Sequence, residues 1–370
     1  MIQDTISPQK QYFADGVQTV MRGHENRARA VMLLNGNLVV NTRSESRGIS
    51  ARVTKGGRHG FSSAAAYTAD DAKNVLKAAT EAAVFLDERA TKPRHSFPAL
   101  PGGLIVPERL VVDFEQKRLI EACRTVDDYI AAKYPNLASR RVRYTEDSQD
   151  KIIVTSDAAS GRVTYPRCYI YVYLTAETKS GAPVDVFEAF GGWGSFEDNF
   201  ANVEKLFPEI DKLYGQLMDK KEGVFAEAGL KTVILGGRMG GMLAHEAVGH
   251  TVEADLVIGG SVAGPNLGKR VASEKVTLID FANEALGKRC ELPVYLDDEG
   301  VIAKDAVLIK DGILTGYMNN RESAERFGVE PAGNARAWDF NDEPLIRMRN
   351  TAILPGEDKL EDMIASIDDG

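Results

Sequence analysis

The sequence predicts an α+β fold, in which an N-terminal α/β unit is followed by a C-terminal domain of antiparallel sheets that carries a metal-motif helix. Short apolar runs and amphipathic segments of helical period alternate before residue 221. Turns rich in glycine and aspartate separate short apolar runs towards the end of the chain, and a segment with two histidines precedes them. We therefore expect an N-terminal domain over 1–100, a middle segment over 101–221 and a metal-site domain over 222–370.

The N-terminal domain is expected to begin with a hairpin and to continue with a helix. Asn35-Gly36 separates two apolar runs, and Asn-Gly is a strong signal for a two-residue hairpin turn. Thr68 and Asp71 have the spacing of a capping box, which marks the start of a helix. The side chains predicted to share the buried face of this helix are Val75, Ala79, Ala82 and Leu86.

The middle segment is expected to follow a linker over 93–107 that is rich in proline and glycine. A helix is predicted over about 114–133, with Cys123 as an ordinary core residue. Strict alternation over 168–174 predicts a strand with tyrosines on one face, where cross-strand packing is expected more often than a peptide groove. A long amphipathic helix should follow over 200–217, kinked at Pro208.

The third domain is expected to open with a short strand over 232–235 and a glycine-rich loop over 236–241. The loop matches neither of the two common phosphate-binding glycine patterns, so we expect its glycines to permit close packing or to leave room for a substrate. Further along, Asp311-Gly312 predicts a turn between antiparallel strands.

Composition excludes several classes of function. The net charge of −9 provides no basic surface for phosphates, which argues against a nucleic-acid partner. The first residues lack the pattern of a signal peptide, and no apolar run is long enough to cross a membrane. Three cysteines fit a reducing cytoplasm better than a disulfide framework.

The residue pattern with the clearest chemistry is His245-Glu246-Ala247-Val248-Gly249-His250. Histidines five residues apart lie about 140° apart on an ideal α-helix and cannot share a metal ion there. A π-bulge would bring both onto one face, and such bulges are frequent at functional sites. Gly249 has the backbone freedom to allow that distortion or to end the helix.

Two neutral imidazoles beside a carboxylate suit metal-assisted hydrolysis. His245 and His250 are the candidate metal ligands, with zinc the expected ion. Glu246 is the candidate general base, which takes a proton from water and returns it to the leaving amine. The competing interpretation is a helix with two histidines that are satisfied by ordinary hydrogen bonds.

The sequence gives weaker evidence that other charged residues bind a metal ion or a substrate. The carboxylate run Asp297-Asp298-Glu299 would suit a hard cation, although a solvated or capped turn is the more common arrangement. Arg321 and Arg336 could hold a carboxylate of a substrate, but isolated arginines more often form structural ion pairs. The remaining histidines have no ligand spacing and are expected to be surface or local hydrogen-bonding residues; they are His24, His59 and His95.

The motif and several later segments resemble the TldD/PmbA metalloproteases, also described as modulators of DNA gyrase. The catalytic, TldD-like members carry H-E-x-x-x-H, whereas their PmbA-like partners lack it. The resemblance covers nearly the whole chain, and its motifs are strongest after residue 230. The segments that carry it are 245–255, 268–273, 297–300, 311–317 and 333–336, with 48–53 and 60–63 nearer the N-terminus.

The resemblance implies a third metal ligand, a cysteine in the C-terminal part of the domain. Nothing after Cys290 in this sequence can supply it, and Cys290 itself stands in the wrong context. We therefore expect the chain to be a truncated form whose site binds zinc more weakly. The resemblance further implies small or unfolded polypeptides as substrates, and a homodimer or a heterodimer with a motif-free partner.

A different class of function stays open. The alternative expectation is a non-catalytic peptide-binding or assembly subunit of a family heterodimer, which the missing third ligand favours. The intact motif opposes this alternative. A module that binds nucleic acid or gyrase is disfavoured by the negative charge.

Overall fold

The computed structural model describes residues 2–91, 96–107, 115–368 and 370. Its main feature is a seven-stranded sheet in the order β3-β2-β1-β5-β6-β4, with β7 also paired to β6. All neighbours in this sheet are antiparallel except β4 and β6. The strands are β1 (Gln18–Leu34), β2 (Asn37–Lys55), β3 (Arg58–Ala64), β4 (Leu104–Ile105), β5 (Ser139–Thr155), β6 (Ser160–Glu177) and β7 (Pro183–Trp193).

The predicted hairpin joins β1 to β2. Asn35 and Gly36 both have positive φ, at 48° and 82°, which is the conformation that a tight antiparallel hairpin requires. The strands on either side are much longer than the apolar runs that predicted them, because polar residues extend them.

Helices cover one face of the large sheet. They are α1 (Ile2–Ile6), a 3₁₀ turn (Ser7–Tyr12), α2 (Ala69–Glu88), α3 (Gln116–Lys133), α4 (Phe196–Phe200), a 3₁₀ turn (Val203–Leu206) and α5 (Phe207–Lys221). Ile152 on β5 packs beneath α2, while the next residue, Ile153, points to the opposite face. Further along the sheet, α3 and α5 bury Tyr144 and Ile170.

The capping box at Thr68 and Asp71 is present with both reciprocal hydrogen bonds. The buried stripe of α2 differs from the prediction at its C-terminal end, because Leu86 is 45% exposed and Ala83 is buried instead. The predicted linker has irregular structure over 96–107 apart from β4, and residues 93–95 of that prediction lie outside the described residues.

The predicted helix near 114–133 is confirmed as α3, although Phe114 lies outside the described residues. The alternating segment 168–174 is confirmed within β6, with its even-numbered residues fully buried and its tyrosines in a row on the other face. The single helix predicted over 200–217 is wrong. It is interrupted after α4, and Pro208 stands in the first turn of α5, where its missing N–H costs nothing.

The third segment contains small sheets joined by short helices. Its strands are β8 (Leu278–Phe281), β9 (Glu284–Ala285), β10 (Lys288–Arg289), β11 (Ala306–Lys310), β12 (Ile313–Leu314), β13 (Ala335–Arg336), β14 (Leu345–Ile346) and β15 (Asn350–Ile353). Its helices are α6 (Gly237–Leu243), a π-helix (Ala244–Gly249), 3₁₀ turns (His250–Val252 and Gly264–Asn266), α7 (Ala254–Ile258), α8 (Arg321–Phe327) and α9 (Leu360–Ala365). The largest sheet here has the order β12-β11-β8-β15.

Two predictions for this segment are wrong and one is confirmed. Residues 232–235 form no strand, because no described segment pairs with them. The glycine-rich segment is not a loop throughout, since α6 begins at Gly237. Asp311 and Gly312 do form the turn between β11 and β12, both with positive φ.

The third segment packs on the second face of the large sheet. Ile153, Val163 and Tyr165 meet Val294 and Leu296 there in a buried apolar cluster. Strands β1–β3 come from the first predicted domain and β5–β7 from the second, so one sheet spans the predicted boundary at residue 100. The division into 1–100, 101–221 and 222–370 stays a prediction.

The α+β class with antiparallel sheets is confirmed. In the part of the chain that the structure describes, no helix combines the length and apolar character that crossing a membrane requires.

Candidate metal centre

A π-helix brings the two histidines of the motif together. Residues Ala244–Gly249 form this turn, and the N–H of His250 donates to the carbonyl of His245. In such a turn the hydrogen bonds join residues five apart, so side chains with that spacing lie on one face. The ring centroids of His245 and His250 are 4.7 Å apart with the planes at 80°. The predicted π-distortion is therefore present.

Glu246 completes a compact cluster with the histidines. One potential ligand atom from each of His245, Glu246 and His250 lies within 4.8 Å of the others, and this is the group of metal-ligating residue types that the described residues bring together. His245 and Glu246 are exposed, and the side chain of His250 is 45% exposed. The cluster is thus open to a ligand from solution. Cys290 is not part of it, as the sequence predicted.

Gly249 has a different role from the one predicted. Its φ of −50° and ψ of −56° are ordinary helical values that any residue can adopt. A Cβ atom at this position would overlap the sulfur of Met348, which follows β14. The glycine is therefore needed for the close approach of the π-helix to the neighbouring chain, rather than for backbone freedom.

The next residues fix the end of the motif against the rest of the domain. The N–H of Met318 donates to the carbonyl of Val252 at 3.0 Å, and the N–H of Ala254 donates to the carbonyl of Met318 at 3.0 Å. Glu253, between them, is buried and places its Oε1 3.6 Å from Nδ1 of His250. Burial raises the pKa of Glu253 above its ordinary value, and the neighbouring His250 opposes that shift.

An apolar cavity of about 430 Å³ lies against the same turn. Ala244, Ala247, Val248 and Thr251 from the motif segment line it, together with side chains of the sheet that contains β8 and β11. β15, which is the last strand of its sheet among the described residues, also contacts the π-helix. The motif therefore lies between the apolar cavity and β15.

The carboxylate run Asp297-Asp298-Glu299 is not a solvated turn. All three residues are at most 3% exposed, so the expectation of a solvated turn is wrong, whereas that of a capped turn is confirmed. Asp297 does cap a turn, because its Oδ1 accepts from the N–H groups of Glu299 and Val301 at 2.9 Å. Burial, with the nearby Glu299 charge, raises the pKa of Asp297 well above its ordinary value.

Cations from the large sheet neutralise the other two carboxylates. Lys151 Nζ donates to Asp298 at 2.7 Å, Arg22 lies 3.6 Å from it, and Arg52 pairs with Glu299. Burial alone would raise the pKa of Asp298, but Lys151 and Arg22 outweigh it and lower that pKa to about 2. These carboxylates hold the third segment to the sheet and are not available to a cation.

The isolated arginines have structural partners, as expected. Arg321 forms a bidentate ion pair with Asp157 at 2.7 and 3.1 Å. Arg336 donates to the carbonyl of Met348, the residue that also touches Gly249.

His24 and His59 are local hydrogen-bonding residues, but His24 is not on the surface. It is fully buried on β1, where its Nε2 is 2.8 Å from Asn26 Oδ1. Burial, with Lys151 and Arg22 nearby, lowers the pKa of His24 to about 2. His59 lies 2.9 Å from Thr54 and 3.3 Å from Glu322, whereas His95 lies outside the described residues.

The sequence analysis did not single out Glu253 or Met348. Glu253 stands three residues after His250, a spacing that brings side chains together on a helix, so this signal was available. Met348 lies 99 residues beyond Gly249 in the chain, and no local pattern connects the two positions.

Three domain models of one family match the chain in succession. They are the PmbA/TldA metallopeptidase domain 1 over residues 21–83, the central domain over 110–216 and the C-terminal domain over 228–370.

Curated relatives agree with these matches. A metalloprotease of Methanocaldococcus jannaschii is 34% identical over 264 residues, which cover 70% of this chain and 55% of that protein. A zinc metalloprotease TldD homolog of Saccharolobus solfataricus is 26% identical, over 70% of this chain and 57% of that protein. The chain spans about half the length of these relatives.

Solved structures share the fold. A structure from Thermotoga maritima, described as a modulator of a DNA gyrase, has a TM-score of 0.73 and 18% identity and covers 98% of this chain and 79% of that one. TldE from Thermococcus kodakarensis has a TM-score of 0.69 and 18% identity, with 99% and 80% covered. The successive domain matches and the curated relatives together show that this chain belongs to the PmbA/TldD metallopeptidase family.

Proposed function

We propose that this chain provides the catalytic site of a zinc-dependent peptidase that hydrolyses small or unfolded polypeptides through its H-E-x-x-x-H motif. The observation that carries the proposal is the π-helix, which places ligand atoms of His245, Glu246 and His250 within 4.8 Å of one another at an accessible surface. A turn of this kind is uncommon and occurs often at functional sites. A curated relative named as a zinc metalloprotease supports the choice of metal.

The donor set fits a borderline divalent ion. His245 and His250 would hold zinc through imidazole nitrogens, which zinc prefers, and Glu246 lies beside them. Catalytic zinc sites normally use three protein ligands, so we infer that a further ligand completes the site. The resemblance to the family points to a cysteine that this sequence does not contain. A bound zinc ion supplies a Lewis acid that polarises a carbonyl and makes water more acidic.

The residues of the chain supply the proton transfers and the orientation. Glu246 takes the proton of the attacking water and passes it to the leaving amine, because its carboxylate is exposed on the same face as the histidines. An extended substrate would add to the free edge of β15, which contacts the π-helix. Because the hydrogen bonds of such pairing are made by the main chain, the edge can bind unfolded polypeptides of many different sequences.

The metal content of the purified chain tests the proposal directly. When zinc is supplied, we expect mass spectrometry to detect zinc on the parent, bound more weakly than at a site with three protein ligands, and to detect its loss in His245→Ala. His59→Ala, which alters a histidine outside the cluster, is the matched control and should keep the metal. Zinc that survives in His245→Ala, or that never binds the parent, would contradict the proposed centre.

A second candidate is a non-catalytic peptide-binding or assembly subunit. The observation that favours it is the ligand set, because two histidines are fewer than the three protein ligands of a usual catalytic site. It predicts that the complete protein binds an unfolded peptide without cleaving it, even when zinc is supplied. Peptide fragments detected by mass spectrometry after incubation would exclude it.

We also infer that the protein is located in the cytoplasm and forms a dimer, either a homodimer or a heterodimer with a motif-free family partner. Phe225, Leu230 and Val233 are at least 69% exposed, and a run of large apolar side chains at a surface is typical of an interface. The three cysteines are free and buried, which fits a reducing compartment. Light scattering of the complete protein tests the dimer, and a monomer at micromolar concentration would contradict it.

A further inference from the structure

Glu253 is a buried carboxylate that lies beside the motif. Its side chain is 6% exposed, against 45% for His250, and its Oε1 lies 3.6 Å from Nδ1 of that histidine. Three residues separate the two in sequence. The contact therefore approaches His250 from the protein side of the ring.

The backbone on both sides of Glu253 is held in place. Val252 and Ala254 hydrogen-bond to the two backbone groups of Met318, and all three residues are at most 1% exposed. Because the backbone on both sides is fixed, the carboxylate of Glu253 has little freedom to turn out into solvent. Asp255, two residues further on, is exposed, and its side chain accepts from the N–H of Leu256.

A histidine that binds a metal through one ring nitrogen usually donates its other N–H to a carboxylate or a carbonyl. This second contact fixes the tautomer and the orientation of the ring. Hydrogen bonds of this kind are often long in a metal-free site and shorten when the site is loaded. The separation of 3.6 Å between Nδ1 of His250 and Oε1 of Glu253 is just beyond hydrogen-bond length.

We propose that Glu253 is a positioning residue, which accepts the Nδ1–H of His250 and so keeps Nε2 of that histidine free to bind the metal. The inference rests on the proposed function, since it assigns a role towards the same zinc ion. It adds a residue outside the H-E-x-x-x-H pattern and states which nitrogen of His250 faces the metal.

Zinc affinity is the first test, measured by competition with a chromophoric chelator. We expect Glu253→Ala to weaken zinc binding by roughly 10- to 100-fold. Glu253→Gln should lose less, because its amide oxygen still accepts a hydrogen bond. Asp255→Asn is the matched control, an acidic residue two positions away, and should leave the affinity unchanged. If Glu253→Ala fails to fold, Glu253→Asp replaces it, because its shorter side chain keeps the charge but withdraws the carboxylate from the ring.

The tautomer of His250 is the second test and needs no metal. The chain has only five histidines, so nitrogen–proton correlation spectra of histidine-labelled protein can resolve this ring. At alkaline pH, where imidazoles are neutral, we expect the Nδ1–H tautomer in the parent and in Glu253→Gln, and the Nε2–H tautomer in Glu253→Ala. A purely structural role would lower stability without changing the tautomer.

The outcomes separate the two proposals. If the parent binds zinc and loses it in His245→Ala, but the Glu253 variants keep both the affinity and the tautomer, the role of Glu253 is overturned and the metal centre stands. If the parent binds no zinc while His250 still has the Nδ1–H tautomer, the proposed function fails and the contact with Glu253 is only structural.

Discussion

His245, Glu246 and His250 lie at an accessible surface, whereas Asp297, Asp298 and Glu299 are buried against the large sheet. Both groups are short runs of metal-ligating residue types in the same segment. The buried carboxylates accept hydrogen bonds and face cations from β1, β2 and β5. The difference teaches that polar side chains already paired with cations and N–H groups of the protein stabilise the fold. Polar side chains left at the surface can instead bind a ligand.

The largest expected effect is on catalysis at the accessible cluster. Glu246→Gln should lower turnover of an unfolded peptide by the complete protein by about 10²- to 10⁴-fold, because the amide cannot accept the proton. Zinc content and thermal stability should stay at the parent level, since Glu246 is exposed. If this variant still hydrolyses the peptide at the parent rate, Glu246 is not the general base. The accessible cluster would then lack the catalytic role that distinguishes it from the buried one.

The buried cluster should respond in stability. Asp298→Ala leaves Lys151 and Arg22 without their carboxylate, and removing one partner of a buried ion pair costs about 3–5 kcal/mol. Urea unfolding measures the loss. Replacing Lys151 and Asp298 together by Met and Leu should cost much less, because no unpaired charge is left on that pair. An Asp298→Ala protein as stable as the parent would show that these ion pairs do not hold the two parts together.

The pH dependence of stability should come from the same buried region. His24 has a pKa of about 2 in the fold, against 6.5 for an ordinary histidine, so below pH 6.5 the unfolded chain binds a proton that the folded one does not. Stability is therefore full above pH 6.5 and falls as the pH is lowered towards 2, by up to about 1.4 kcal/mol per pH unit.

Urea unfolding between pH 7 and pH 4 measures that slope, and His24→Gln should flatten it. Asp298 adds a further loss of stability at lower pH. Its pKa is 3.8 in an ordinary carboxyl and about 2 in the fold, so between these values the unfolded chain binds a proton that the folded chain does not. An unchanged slope in His24→Gln would mean that other groups control acid sensitivity.

The smallest effect tests the packing that supports the motif. Gly249→Ala forces the side chain of Met348 to move, and methionine adapts readily, so we expect a loss of about 1 kcal/mol with weaker zinc binding. Gly240→Ala on α6 is the matched control, because its Cβ would meet open space and alanine favours a helix. Equal effects of the two substitutions would argue against the close approach to Met348.

Local patterns predicted local structure well. The Asn35-Gly36 and Asp311-Gly312 turns, the capping box at Thr68 and the spacing that requires a π-distortion at His245 all depend on neighbours within a few residues. The family, too, was recognised from sequence motifs.

Features that depend on distant residues were not predictable in the same way. The run at Asp297 looks solvated in sequence because its cations come from Arg22, Arg52 and Lys151, which are more than 140 residues away. Segment 232–235 has the composition of a strand, but a strand also needs a partner, and none of the described segments pairs with it. The position of the site relative to β15 likewise follows from packing alone.

The order of strands in the large sheet has a consequence for synthesis of the chain on the ribosome. β1 pairs with β5 along most of its length, although β1 ends at Leu34 and β5 ends at Thr155. At 5–20 residues per second, roughly 6–24 s pass between completion of the two strands. During that interval one edge of β1 has no partner, and an unpaired edge can pair with another nascent chain. Expression at low temperature or with a chaperone that binds nascent chains should therefore raise the soluble yield.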